Sequence, residues 1–236
     1  MRADGRKPDE LRPLEIEVDY LEQPNGSALI SAGKTRVLCT ASITDGVPRW
    51  LMGKGKGWMT AEYGLLPAST GERTQREASS GKQKGRTVEI QRLIGRSLRS
   101  VTDLSALGER TLWIDCDVLQ ADGGTRCAAI SGAYVASRRA LDRFGLGKAL
   151  TDSVAGVSLG IVDGEPLLDL DYPEDSRAEV DLNVVMSGDG RLIEVQATAE
   201  GDRYTRNQLD ELLDLAAGGI EEIMAAQQRA VETVLA

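Results

Sequence analysis

Three clusters in the 236-residue sequence carry residue types and spacings able to do chemistry. The first is Gly123-Gly124-Thr125-Arg126, which lies between a strand-like run and a helix of small residues. Two glycines let the backbone approach an anion closely, and a helix starting there points unpaired N–H groups at it. Thr125 adds a hydroxyl donor and Arg126 a charged fork suited to phosphate oxygens. An ordinary glycine turn with Thr125 as helix cap uses the same residues. The second cluster is acidic: Asp169, Asp171, Glu174, Asp175, Glu179 and Asp181. Asp181 interrupts the apolar run from Val180 to Met186, where a carboxylate needs an arginine or a cation. Carboxylates that serve phosphate substrates hold Mg²⁺ through one or two side chains. A solvent-facing acidic strand is the plainer alternative. The third cluster is basic: Arg86, followed by Arg92, Arg96 and Arg99 at helical spacing. Such a stripe can grip a polynucleotide backbone or a free phosphate. It can equally pair with carboxylates, as Glu89 would with Arg92.

Two other glycine-rich stretches do not meet the requirements of a nucleotide loop. Gly33-Lys34-Thr35 resembles the end of a P-loop, but the glycine that motif needs at position 28 is Ala28. The run after it, Val37 to Thr40, reads as strand rather than helix. Gly53-Lys54-Gly55-Lys56-Gly57 is a flexible basic loop with no strand–turn–helix context.

The elements that must hold these clusters are set by periodicity. Residues 14–47 read as strands, with Asn25-Gly26 as a hairpin turn. Residues 49–85 read as long loops with short ordered pieces. Ile90, Leu93, Ile94, Leu98 and Val101 predict a helix over Thr87–Val101. Thr111–Leu119 alternates as a strand, and a helix is expected over Ala128–Arg143. Strands are then predicted over Val154–Val162, Pro166–Tyr172, Ala178–Met186 and Arg191–Thr198, with Asp163-Gly164 and Asp189-Gly190 as turns. Thr205 and Gln208 form a capping box that opens a C-terminal helix, which Gly218-Gly219 would break or kink. Strands followed by a helix occur twice, so the expectation is an α+β chain of two related halves, about 1–145 and 150–236, in a single domain spanning 1–236.

Composition narrows the chemistry. The sequence has no histidine, which excludes Ser-His-Asp and Cys-His nucleophilic sites and imidazole metal sites. Three cysteines without a C-x-x-C pair argue for buried free thiols rather than disulfides or a zinc site. Net charge is −9, yet Arg73, Arg76, Lys82, Lys84, Arg86, Arg92, Arg96 and Arg99 face only Glu77 and Glu89 within their stretch. A basic patch on an acidic body suits a phosphate-rich ligand, or a subunit contact. One Phe, three Trp and five Tyr are too few for a broad base-stacking platform. The first residues are polar and show no signal core or membrane span, so a cytoplasmic, soluble protein is expected.

Five strings taken together resemble the RNase PH family. They are Asp4-Gly5-Arg6 with Glu10-Leu11-Arg12-Pro13; Gly57-Trp58-x-Thr60-Ala61-Glu62-Tyr63; Gly85 to Arg96; Asp115 to Arg126; and Glu174-Asp175-Ser176 with Asp181-x-Asn183-Val184. The resemblance spans essentially the whole chain, in family order. It implies an RNase PH fold of two related β-α halves with mixed and antiparallel sheets and packed helices. It also implies a homohexameric ring, a trimer of dimers. The implied reaction is phosphorolysis: inorganic phosphate, as co-substrate, removes 3′ nucleotides from tRNA precursors and other RNA, reversibly, and releases nucleoside diphosphates. By the same resemblance Arg86, Gly124, Thr125 and Arg126 bind phosphate. Asp175 and Asp181 hold Mg²⁺ or act in the chemistry, Arg92 and Arg96 contact RNA, and Arg73 and Arg76 serve ring contacts. Ala68, Cys127 and Ala197 depart from the more usual Arg, Thr and Gly. An inactive RNA-binding ring subunit of exosome type is the alternative within the family. An unrelated phosphate-binding metabolic enzyme is the alternative outside it.

Overall fold

The computed structural model describes residues 2–201 and 203–235. Its first sheet is built from β1 (Leu14–Val18), β2 (Gly26–Ala32), β3 (Thr35–Asp45), β4 (Trp58–Leu65) and β5 (Arg110–Gln120), in the order β1-β2-β3-β5-β4. Only the β4–β5 pair is parallel. The second sheet is antiparallel, β7-β6-β8-β9, from β6 (Val154–Val162), β7 (Glu165–Leu168), β8 (Val180–Ser187) and β9 (Leu192–Ala199). Short α1 (Glu77–Ser80) and long α2 (Gly85–Ser100) lie between β4 and β5. Helix α3 (Thr125–Arg143) follows the first sheet. The one-turn α4 (Tyr172–Asp175) sits in the second, and α5 (Arg206–Leu235) follows it. The α+β fold with two strand-then-helix halves is thus present.

Period-two alternation builds the first core. β5 turns Leu112, Ile114, Cys116 and Val118 inward and Trp113, Asp115 and Asp117 outward. The small residues of α3 allow it to be buried over most of its length, between β2, β3 and β5 on one side and β6 on the other. β6 is covered on both faces, by α3 and α5, which is why Val154–Val162 is an unbroken buried run. All three cysteines are free and buried.

Several expectations need correction. The stretch expected to be mostly loop contains the eight-residue strand β4, whose alternation puts Met59, Ala61 and Tyr63 into the core. Gly26 is not a turn residue. It opens β2, and a Cβ there would lie 2.2 Å from the Ala136 carbonyl oxygen, so it exists to let α3 approach. The strand expected to reach Tyr172 stops at Leu168, because Asp169 turns left-handed at φ 53°. Asp171 then caps α4 through a reciprocal bond with Glu174. Gly218-Gly219 does not break α5, which is continuous from Arg206 to Leu235. Gly219 instead leaves room for the Leu168 side chain. The capping box at Thr205 and Gln208 and the left-handed Asp163-Gly164 turn are present as expected.

Candidate active site

One polar cleft gathers residues from both halves: Arg86, Gly124, Thr125 and Arg126 from the first, and Ser158, Asp175, Asp181 and Asn183 from the second. Arg86 enters from the exposed first turn of α2. The glycine turn enters at the start of α3, with Gly123 and Gly124 at φ 78° and 64°. Gly123 has no room for a side chain, and Gly124 is tight. A Cβ on Gly123 would lie 2.4 Å from the Leu170 carbonyl oxygen, and one on Gly124 would lie 3.1 Å from both Ser158 Oγ and Arg12 Nη2.

Thr125 is the first helical residue rather than the cap, and no side chain caps this helix end. Its N-terminal N–H groups therefore remain directed at the cleft. Thr125 Oγ1 is 2.9 Å from Tyr63 Oη, which orients the hydroxyl. Arg126 is held against Gln196 and Glu89, and Gln196 in turn donates to Glu89. The partners of Glu89 are thus Arg126 and Gln196, rather than the Arg92 that the alternative reading of the stripe offered. The turn is also held from behind. Thr35 Oγ1 donates to the Gly123 carbonyl at 2.7 Å and accepts from Asp122 N–H at 2.9 Å. The Gly33-Lys34-Thr35 string that imitates a nucleotide loop thus supplies a bracket for the real anion-ready turn.

The two carboxylates arrive on separate elements of the second half. Asp175 ends the capped α4, and Asp181 sits near the start of β8. Both are half-buried. Burial raises the Asp175 carboxyl above its ordinary value, against the pull of Arg86, Arg126 and Arg12. Burial raises Asp181 as well, and the neighbouring Asp175 adds to that. Asp181 Oδ1 accepts from Asn183 Nδ2 at 3.3 Å, and Asn183 Oδ1 accepts from the Cys127 thiol at 3.4 Å. A thiol donor on the amide oxygen turns the NH₂ toward the carboxylate, so Cys127 fixes the orientation of Asn183. Burial pushes the Cys127 thiol up to about 12, which keeps it a donor at neutral pH. No group of three or more Cys, Asp or Glu able to hold a metal occurs among the described residues. A pair of carboxylates beside an anion site is nevertheless the donor set Mg²⁺ takes when substrate oxygens and water complete its shell.

The other basic residues lie outside this cleft. Arg92 and Arg96 are exposed on α2, and Arg96 pairs with Glu194 at 3.0 Å. Arg99 leaves the expected stripe: it donates to the Met59 carbonyl and lies 4.6 Å from the Trp58 ring centroid. Arg73 and Arg76 are exposed just before α1. Ser158 was not singled out from the sequence, and Asn183 and Arg12 stood there only within family strings, without a role. Ser158 is 3% exposed, and its hydroxyl has no hydrogen-bond partner in the structure. Its signal was a lone hydroxyl inside the apolar run Val154–Val162.

Comparison with known proteins agrees with this architecture. Residues 10–140 match the model of the 3′ exoribonuclease family, domain 1, and residues 152–219 match domain 2. The chain is 57% identical over 232 residues to Ribonuclease PH of Syntrophomonas wolfei, covering 96% of this chain and 97% of that one. It is 58% identical over 236 residues to Ribonuclease PH of Moorella thermoacetica, covering 97% and 94%. Among solved structures, the Archaeoglobus fulgidus exosome with RNA bound to the active site superposes with a TM-score of 0.80 at 24% identity, over 95% of this chain and 91% of that one. An archaeal exosome core gives 0.75 at 24% identity, over 96% and 91%. Two family models that tile the chain, and relatives identical at more than half of their positions over nearly full length, place it in the 3′ exoribonuclease family, of the RNase PH type.

Proposed function

We propose that this chain is a phosphate-dependent 3′→5′ exoribonuclease, a tRNA nucleotidyltransferase that trims extra 3′ nucleotides from tRNA precursors. The observation that carries the reading is the single cleft in which anion donors from the first half meet two carboxylates from the second. Arg86, Arg126, Thr125 and the backbone N–H groups after Gly124 hold inorganic phosphate. One of its oxygens attacks the phosphorus of the last phosphodiester. The bond to the 3′ oxygen of the preceding nucleotide breaks, the terminal nucleotide leaves as a diphosphate, and the shortened RNA regains a 3′ hydroxyl. Phosphate is itself the nucleophile, so the absence of histidine is no handicap. The task is to bring two anions together and to neutralise the charge that builds between them. Asp175 and Asp181 would hold Mg²⁺, which would supply that neutralisation on the RNA side.

Arg92 and Arg96, exposed on the same helix as Arg86, suit contacts to the RNA backbone. A homohexamer built as a trimer of dimers, with Arg73 and Arg76 at its contacts, belongs to the same reading, as do a cytoplasmic location and one domain formed by two cooperating halves. The relatives' name, Ribonuclease PH, and the RNA in the active site of the archaeal exosome support it. No helix among the described residues is long and apolar enough to cross a membrane. An inactive RNA-binding ring subunit is the weaker reading, because the complete donor and carboxylate set converges here. The deciding assay offers an RNA with extra 3′ residues, Mg²⁺, and either phosphate or water alone. Nucleoside diphosphates formed only with phosphate are expected. Monophosphates, or RNA binding without turnover, would overturn the reading.

A further inference from the structure

A buried arginine joins the two halves of the cleft. Arg12 is 5% exposed and lies at the seam between the sheets. Toward the second half, its Nη2 donates to Asp169 Oδ1 at 2.7 Å and its Nε to Asp169 Oδ2 at 3.0 Å. Its backbone N–H donates to the same Oδ2 at 2.9 Å. Toward the first half, its Nη1 donates to the carbonyl of Asp122, the residue just before the glycine turn. Asp169 begins the left-handed bend that leads through the Asp171 cap into α4 and Asp175. One planar guanidinium therefore spans the anion turn and the segment bearing a candidate catalytic acid. Two more N-terminal arginines brace that segment. Arg2 donates to the Leu168 and Asp169 carbonyls and, bidentately, to Glu174. Arg6 donates to the Asp169 carbonyl at 2.9 Å.

We infer that Arg12 is a positioning residue for phosphorolysis: it sets the distance between bound phosphate and the carboxylates without touching either substrate. This rests on the proposed function. The alternative is a buried ion pair that holds the fold and nothing more. Geometry favours the positioning role because both ends of the bridge land on segments that line the cleft. Lysine cannot replace it, since a point charge reaches either Asp169 or the Asp122 carbonyl but lacks the fork that reaches both.

The molecule supplies its own control. Arg139 is 6% exposed and donates to the half-buried Asp19 at 2.7 Å, an arginine–aspartate pair whose residues lie outside the cleft. Arg12→Lys and Arg139→Lys should both lower the melting temperature. Only Arg12→Lys should raise the KM for phosphate and lower kcat, together by roughly 10- to 100-fold, as expected for a misplacement on the scale of an ångström. It should also shrink the rise in melting temperature that inorganic phosphate gives the parent, a readout independent of turnover. In Arg12→Ala, millimolar guanidinium should restore part of the lost rate. If Arg12→Lys, still folded below its melting point, keeps parental kcat, KM and phosphate-induced shift, the inference fails. If Arg12→Ala does not fold, Arg12→Lys alone decides. If the parent releases no diphosphates, it is the proposed function that fails, and the phosphate-induced shift still tests the bridge.

Discussion

At the scale of single residues, Asp181 and Ser158 bear on stability and on activity in different ways. Asp181 is held partly out of water and next to Asp175, both of which oppose its charge. Asp181→Asn removes that opposition, so the variant should melt no lower than the parent. Its kcat should fall by about 10²–10³, the usual loss when one electrostatic contributor to a transition state is removed. Full activity in that variant would take Asp181 out of the mechanism. Ser158 carries a buried hydroxyl without a partner, a group that normally costs stability. The arrangement makes sense if phosphate, when bound, accepts from it. Ser158→Ala should then melt at or above the parent temperature without phosphate, yet show a KM for phosphate raised about tenfold, the worth of one hydrogen bond to a charged acceptor. A drop in melting temperature with unchanged KM would make Ser158 merely structural. The carboxylates and the anion turn were legible because acids and glycines announce themselves in an apolar context. Ser158 was not, because one serine in a strand looks like any other until a cleft is built around it.

At the scale of elements, periodicity placed most strands and helices to within a few residues, since burial of one face dictates the pattern. Two of the misreadings, at Gly26 and at Gly218-Gly219, came from glycines taken as turn or break signals. Gly26 sits under α3, whereas Gly218 faces open space on α5. The same substitution should therefore act with opposite sign. Gly26→Ala drives a Cβ into helix backbone and should destabilise by about 1–3 kcal/mol or more. Gly218→Ala should stabilise by roughly 0.5–1 kcal/mol, because a mid-helix glycine loses entropy and gains nothing here. Denaturant unfolding of the two variants checks both signs. The early end of the strand at Leu168 was likewise hidden, because an aspartate turning left-handed is invisible to a pattern of apolar residues.

At the scale of the whole molecule, the N-terminal arginines make stability depend on acid. Burial alone would raise the Glu174 carboxyl, but hydrogen bonds from Arg2 and from the Asp171 backbone, with Arg6 nearby, hold it below its ordinary value. A carboxylate lowered in the folded state stabilises fully above the ordinary glutamate value of about 4.3, and that contribution is lost as pH falls through the lower folded value. Glu174→Gln should therefore cost about 3–5 kcal/mol near neutral pH, since it leaves Arg2 buried without its counter-charge. The gap to the parent should narrow below about pH 4, as the parent loses the same charge. A gap that stays constant from about pH 7 to about pH 3 would contradict the assignment. None of this bracing was legible in the sequence. Asp4-Gly5-Arg6 and Arg12-Pro13 stood only as strings of the family resemblance, without a role, and only the packed chain shows their guanidinium groups buried.

The N-terminal strap also sets an order of assembly during synthesis. Arg12 and its partner Asp169 lie 157 positions apart. At about 5–20 residues per second, a ribosome needs on the order of 10–30 s to produce the second after the first. Throughout that interval Arg12 can reach the Asp122 carbonyl but not its carboxylate partner, even once the first sheet and α3 have formed. The nascent chain can therefore carry a folded first half and an exposed anion turn, while the cleft closes only after α4 and β8 have emerged. Catalytic competence is in this sense the last thing the chain acquires, although it depends on residues made among the first.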